Sequence, residues 1–218
     1  MKGHSERVPF KNLKSFNGKP LYHTILNTLL SSKKIDEVIV NTDCANIIRD
    51  IEANFKSRVT VRIRPQEISG DFVSMNKIID DDLNHSDGTV YLQTHSTNPL
   101  LKVSTINNAL NRMLATKLEK DSIFSVTKIQ TRLYDQEGKA INHNPKELIR
   151  TQDLPPIFEE NSCFFIFTKG SFAKSNKQRI GVNPEMFEIE KIEAIDIDTM
   201  EDFILAEAIF KQRHHENN

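Results

Sequence analysis

The sequence has only two cysteines, Cys44 and Cys163, and they form no CxxC spacing. That excludes a disulfide-stapled scaffold and a thiolate zinc site, and points to a reducing, cytoplasmic compartment. No apolar run approaches the ~20 residues that a membrane-spanning helix needs, so no membrane partner is expected. The opening M-K-G-H-S-E-R carries no apolar stretch behind its charges and does not read as a signal peptide. An excess of one charge is also missing. The formal net charge is -1, so a nucleic-acid partner held by bulk electrostatics is not expected. There is no G-x-S-x-G turn and no Cys–His arrangement to support a hydrolase. The histidines are scattered without metal-ligand spacing. His4, His95 and His143 read first as polar surface residues, and His214-His215 as tail.

What is present suits one α/β domain over residues 1–218. A hydrophobic share of 38% supplies one core, and 27% charged residues supply a solvated surface. Leu21, Ile25 and Leu29 recur at helical spacing with Leu26 and Leu30, which predicts a helix over 20–31, with Pro20 in its first turn. Further helices are expected over 45–55, 73–84, 103–118 and 199–212. Strands are expected over 36–42, 59–64, 89–93 and 123–127, with C-F-F-I-F-T and a final I-E-A-I-D-I-D-T returning to the sheet. Asp80, Asp81 and Asp82 are consecutive and fan out around their helix, so they read as a solvated face. Strands alternating with helices imply a mostly parallel sheet with helices on both faces. Ligands in such folds lie beyond the carboxyl ends of the strands. That rule selects Thr42, Asp43, Arg64, Gln93, Asp196 and Asp198. Residues 128–162 break the alternation. A Gly-centred turn in L-Y-D-Q-E-G-K-A-I and an Asn/Pro-rich stretch read as a protruding arm.

Three motifs carry chemistry. In M-K-G-H-S-E-R-V-P-F-K-N, Lys2, Arg7 and Lys11 can neutralise phosphate, while Gly3 and Ser5 allow close backbone approach; alone, the segment reads as a frayed basic terminus. In I-D-I-D, Asp196 and Asp198 point to the same face of a strand, and two adjacent carboxylates suit magnesium completed by phosphate oxygens. R-P-Q-E places Arg64 directly after a strand, where it can contact a base, ribose or phosphate.

In this order the segments resemble the acylneuraminate cytidylyltransferases, the CMP-sialic-acid synthetases. Ser5, Pro9, Lys11 and Asn12 match that family's opening loop, followed by G-K-P-L at 18–21. Asn41-Thr42-Asp43, R-P-Q-E-I with G-D-F-V-S, Y-L-Q-T-H-S-T-N-P-L-L and A-I-D-I-D-T-M-E-D continue the match over nearly the whole chain. The resemblance implies a Rossmann-like (GT-A-like) nucleotidyltransferase fold and transfer of CMP from CTP to an acidic 2-keto sugar, with release of pyrophosphate. It implies that Lys2, Gly3, Ser5, Arg7, Lys11 and Asn12 cradle CTP with Arg64 and Ser74. It also implies that Gln93 and Arg150 face the sugar and that Asp198, with Asp196 beside it, holds Mg2+. Lys11 and the two aspartates would be the catalytic groups. A homodimer joined through the arm is implied as well.

The chain departs from the pattern at several positions. Lys2 replaces an arginine and Glu6 a lysine. The loop after Gln93 is longer and places Leu101 where an arginine is usual. Glu159 stands at another arginine position. The family's first strand precedes the loop, whereas this sequence opens inside it. Two alternatives stay open at this stage: a nucleotide-sugar glycosyltransferase of related fold, and an inactive binding paralogue.

Overall fold

The computed structural model describes every residue except His4, Glu6, 116–118 and 216–218, and the side chains of His214 and His215. The readings made for His4, Glu6 and the His214-His215 side chains therefore lie outside the described residues.

After a short 3-10 turn at Lys11–Leu13, Ser15–Phe16 (β1) and Lys19–Pro20 (β2) pair antiparallel. Asn17 and Gly18 connect them with φ of 51° and 81°. Those positive φ values are what a two-residue hairpin turn demands, and Asn-Gly meets them at least cost. Then come Leu21–Leu30 (α1), Ile39–Thr42 (β3), Ala45–Asn54 (α2), Thr60–Ile63 (β4), Met75–Asn84 (α3), Tyr91–Thr94 (β5) and Val103–Ala115 (α4). Ser122–Ile129 (β6), Ile157–Phe167 (β7), Lys169–Lys174 (α5), Pro184–Glu188 (β8) and Met200–His215 (α6) complete the chain. Among the described residues, no helix is long and apolar enough to cross a membrane.

The strands fall into separate ladders. β3 and β4 pair in parallel, and a second sheet has the order β5-β7-β6-β8. Within it β7 runs antiparallel to both β5 and β6, while β8 runs parallel to β6. The sheet is therefore mixed. Helices cover both faces, as the side chains of β7 make plain. Phe164 and Ile166 enter one core with α1, α2, α4 and β3, whereas Phe165 and Phe167 enter another with Ile79 and Leu83 of α3 and Phe172 of α5. This period-two alternation is the geometry of a strand buried on both sides.

The arm is built as expected in part. Tyr134 and Ala140 form an isolated antiparallel bridge around Gly138. Its return leg, however, is already strand: β7 begins at Ile157 and pairs Ile157, Phe158, Glu159 and Glu160 with Ile129, Lys128, Thr127 and Val126.

Two expectations are corrected. The segment I-E-A-I-D-I-D-T forms no ladder; residues 191–194 turn and 195–198 run extended without strand pairing. The place beside β6 is taken by β8, which sequence alternation did not reveal. Residues 195–198 keep the side-chain alternation of a strand without its ladder. Ile197 is fully buried with Phe16, Leu21, Leu100, Phe203 and Ala206, and its N–H donates to Thr97 O at 2.9 Å. Nor are the three aspartates of α3 a solvated face. Asp81 and Asp82 accept from Arg62 at 2.6 and 3.1 Å, and Lys177 reaches Asp80 at 2.7 Å. They fan out around the axis, and each direction meets a cation.

Ile197→Ala removes the wedge between this second core and the extended segment. We expect it to cost about 2–4 kcal/mol, read as a lower urea midpoint with an unchanged slope.

Candidate active site

Two chains of contact bring the carboxyl ends of β3 and β5 together through the N-terminal loop. The α-amine of Met1 donates to Asn41 O on β3. Beyond β5, Ser96 Oγ donates to Asn12 Oδ1 at 2.7 Å, and Asn12 Nδ2 donates to Lys2 O at 2.8 Å. Asn12 thus fixes the loop at both its amide atoms. Gly3 lies so close to Cys44 that a Cβ there would overlap the thiol, which explains a glycine at this position. Ser5 is half-buried in the same loop. Lys2 Nζ lies 2.9 Å from Asp71, in the segment leading to α3. Ser74 caps that helix, its Oγ accepting from Asn76 N at 3.3 Å.

The loop's cations converge on the second acidic motif. Lys11 is buried; its ammonium donates to Ile197 O and lies 3.4 Å from Asp198. Arg7 reaches the same carboxylate at 2.7 Å. The position of Asp198 is set from the other side by the start of α6. Thr199 N and Oγ1 both donate to Asp202 at 2.8 Å, Asp202 N donates back to Thr199 Oγ1 at 3.2 Å, and Asp198 N also donates to Asp202 at 3.1 Å. This is a capping box, which satisfies the free N–H groups of a helix start. These donors, that of the Thr199 hydroxyl first, hold the Asp202 carboxyl below its usual range. Asp196 behaves oppositely. Desolvation raises its pKa and the nearby Asp198 charge adds to this, against a hydrogen bond from Thr97. Asp196 and Asp198 are therefore a mutually repelling pair.

Among the described residues, no cluster of three or more His, Cys, Asp or Glu side chains could cage a metal. Magnesium does not need one, because it takes one or two carboxylates and fills its octahedron with phosphate oxygens and water. The Asp196/Asp198 pair fits that ligand set.

Arg64, at the carboxyl end of β4, is buried. Its Nε donates to Asn41 Oδ1 at 2.8 Å and one terminal nitrogen donates to Asn41 O at 3.1 Å. The other terminal nitrogen is buried with no hydrogen-bond partner among the described residues. Buried donors are almost always satisfied, so this one stands out as a candidate ligand contact. Asn41 is itself braced by Asp82, which accepts from its Nδ2 at 2.7 Å.

Gln93 lies on β5. Its Nε2 donates to Thr94 O at 3.1 Å, and its Oε1 accepts from Arg179 at 2.8 Å. His95 Nε2 is 3.2 Å from Gln93 Nε2 and 3.4 Å from Arg179. His95 is thus half-buried against these two side chains; desolvation and the Arg179 charge pull its pKa down to about 4. His143, by contrast, is on the arm, 2.9 Å from the Tyr134 hydroxyl.

The structure thus gathers Lys2, Gly3, Arg7, Lys11, Asn12, Asp196 and Asp198 around one loop, with Arg64 and Gln93 at its flanks. Arg150 is not drawn in. It forks onto Asp153 at 2.7 and 3.2 Å, largely exposed on the arm. Arg179 was not singled out in the sequence, and Asn41 and His95 were named there without a binding role. Arg179 follows a helix in S-N-K-Q-R-I, with no local pattern to mark it.

Comparison with known proteins shows the family and fold to which the chain is similar. A family profile described as Cytidylyltransferase matches residues 1–215. A pseudaminic acid cytidylyltransferase of Campylobacter jejuni is 23% identical, covering 98% of this chain and 94% of that protein. An N-acylneuraminate cytidylyltransferase of Streptococcus agalactiae is 25% identical over 92% of this chain, which spans 49% of that longer protein. Among solved structures, a CMP:2-keto-3-deoxy-manno-octonic acid synthetase complexed with CTP superposes with a TM-score of 0.71 at 13% identity, covering 98% of this chain and 96% of that one. A 4-diphosphocytidyl-2C-methyl-D-erythritol synthase of Anaerococcus prevotii gives 0.68 at 16%, with 96% and 93% covered. These structural neighbours bear out the Rossmann-like nucleotidyltransferase fold.

The depressed pKa of His95 gives a pH test. With a folded value of about 4 against an ordinary 6.5, the unfolded chain binds more protons between those limits. Stability from this group is present above pH 6.5 and is lost as pH falls towards 4. Imidazole NMR should show His95 neutral at pH 5.5, and His95→Asn should flatten the acid limb of the stability curve.

Proposed function

The chain belongs to the cytidylyltransferase family, and from that premise we propose that it transfers CMP from CTP to the anomeric hydroxyl of an acidic 2-keto sugar, releasing pyrophosphate. The observation that carries the reading is the convergence of Lys11 and Arg7 on Asp198, beside Asp196, at a loop joined to the carboxyl ends of β3 and β5. That is the charge pattern a metal triphosphate requires: cations for its oxygens and a carboxylate pair for its ion. The relatives are named for pseudaminic acid, N-acylneuraminate and 3-deoxy-manno-octulosonate, which fixes the acceptor class as a sugar acid.

In this mechanism the sugar oxygen attacks the α-phosphorus in line, and negative charge builds on the phosphoryl and leaving oxygens. Lys2, Arg7 and Lys11 neutralise that charge, with Gly3 and Ser5 letting the backbone approach. Asn12 holds the loop in shape. The buried free donor of Arg64 and the capped start of α3 at Ser74 receive the nucleoside end. Gln93 faces the sugar, while Arg150 stays on the arm, forked onto Asp153. Asp196 and Asp198 would hold Mg2+, which supplies Lewis-acid stabilisation of the triphosphate when bound. Little covalent chemistry falls to the protein; its work is preorganised charge.

We place the protein in the cytoplasm as a homodimer. Both thiols are free, which suits a reducing compartment. The arm exposes Tyr134, Ile141, Leu148 and Ile149, with Leu148 89% exposed, an apolar surface suited to a second copy. Light scattering should give a dimer mass, and charges at Leu148 and Ile149 should yield a monomer.

The decisive assay is pyrophosphate release with CTP, magnesium and a panel of acidic keto-sugars. Asp198→Ala should lower turnover by about a hundredfold or more, since each such electrostatic contact supplies ~3–4 kcal/mol of the barrier. Near-normal turnover would remove Asp198 from the metal site, and activity with UTP or ATP but not CTP would overturn the nucleotide.

A further inference from the structure

We propose that Arg179, in the loop between α5 and β8, is the cation that receives the carboxylate of the acidic sugar. The inference rests on the transfer reading above and deepens it by giving the acid a binding group.

The placement is specific. Phe165 on β7 is the register partner of Gln93 on β5, so the two side chains rise from the same face. The Arg179 guanidinium lies 3.7 Å from the centroid of the Phe165 ring. One terminal nitrogen donates to Gln93 Oε1 at 2.8 Å. The aromatic face and the amide thus orient the planar group beside the residue placed at the sugar, near the carboxyl end of β5.

Its charge is only loosely answered. The side chain is only 22% exposed, and its nearest carboxylate, Glu160, stands 4.0 Å away on a side chain 43% exposed. Other arginines of this fold close on their acids far more tightly: Arg62 at 2.6 Å, Arg112 at 2.7 Å and Arg150 at 2.7 Å. Burial lowers the pKa of the Arg179 guanidinium, the direction expected of a desolvated cation lacking a close counter-charge. Neither Nε nor the second terminal nitrogen makes a hydrogen bond among the described residues, whose bonds to this group come from one nitrogen alone. The open edge is the one that binds a carboxylate through two parallel N–H···O bonds. Neutral His95, against the same nitrogen, adds no competing charge. Arg150, the other arginine offered to the acid, is already forked onto Asp153.

A phosphate of CTP is the other anion this group could meet, and the test separates the two. Arg179→Met keeps the stem on Phe165 and removes the charge; Arg179→Lys keeps the charge and loses the fork. Pyrophosphate release is measured with CTP and pseudaminic, N-acetylneuraminic or 3-deoxy-manno-octulosonic acid, using circular dichroism as a check on folding. Arg179→Met should raise KM for the accepted acid roughly ten- to a hundredfold, with partial recovery in Arg179→Lys and KM for CTP unchanged. The wild type should prefer the acid to its C1 amide, and Arg179→Met should lose that preference. An unchanged acid KM in the folded variant overturns the assignment, as does a rise confined to CTP. If the wild type releases no pyrophosphate with any of these acids, the transfer reading fails on its own. Calorimetric binding of the same acids then tests Arg179 directly, and equal or absent binding to wild type and Arg179→Met overturns it.

Discussion

The buried ammonium of Lys11 is the constraint on which the site depends. A charge taken out of water costs several kcal/mol unless it is paired and hydrogen-bonded. Lys11 meets that demand with Ile197 O and Asp198, far away in sequence. The N-terminal loop therefore cannot settle until the I-D-I-D segment is in place. Ile197 in turn cannot be placed without the core of Phe16, Leu21, Leu100 and Phe203 that α6 completes. One cation couples the start of the chain, the I-D-I-D segment and the last helix. The same pairing keeps the Asp198 carboxylate among cations, while its backbone N–H donates to Asp202 at the start of α6.

A second charge relay supports the nucleotide side. Arg62 binds Asp81 and Asp82, Asp82 accepts from Asn41, and Asn41 accepts from Arg64. Each member satisfies the next, and the relay ends at one terminal nitrogen of Arg64 that has no partner among the described residues. Burial dominates the Asp82 carboxyl and raises its pKa, against the donors from Asn41 and Arg62. Two adjacent aspartates of α3 thus brace the buried Arg64 through Asn41. Composition could not show this, because Arg62 and the acids come from different elements.

Local signals were legible and tertiary ones were not. The period of Leu21, Ile25 and Leu29 located α1, because it depends on neighbours in sequence. The motif residues Lys11, Asn12, Asp196 and Asp198 were legible as a set through the order in which they occur. The alternation in I-D-I-D was correct about side-chain direction and wrong about the ladder, since any extended segment separates alternate side chains whether or not it pairs. β8 was missed because P-E-M-F-E opens on a residue without a donor and interleaves two acids, and only pairing with β6 makes it strand. Arg179 carries no mark in sequence; it meets Gln93 and His95 only when β5, β7 and the loop after α5 are brought together.

The separation of the ladders bears on how the two pieces of sheet are held together. Asn41 and Arg64 belong to the β3–β4 pair, while Gln93, Phe165 and the stacked Arg179 belong to the β5-β7-β6-β8 sheet. No ladder hydrogen bond joins the two pieces among the described residues. What joins them is one core, in which Val38 and Val40 pack with Phe164, Ile166 and the helices α1, α2 and α4, and the contacts of the N-terminal loop through Met1, Lys2, Asn12 and Ser96. Hydrophobic burial is non-directional, so packing sets the separation of the two pieces but not their register. The loop's hydrogen bonds are directional, so the register between Asn41 and Arg64 on one piece and Gln93 on the other is set by the contacts of Met1, Lys2, Asn12 and Ser96.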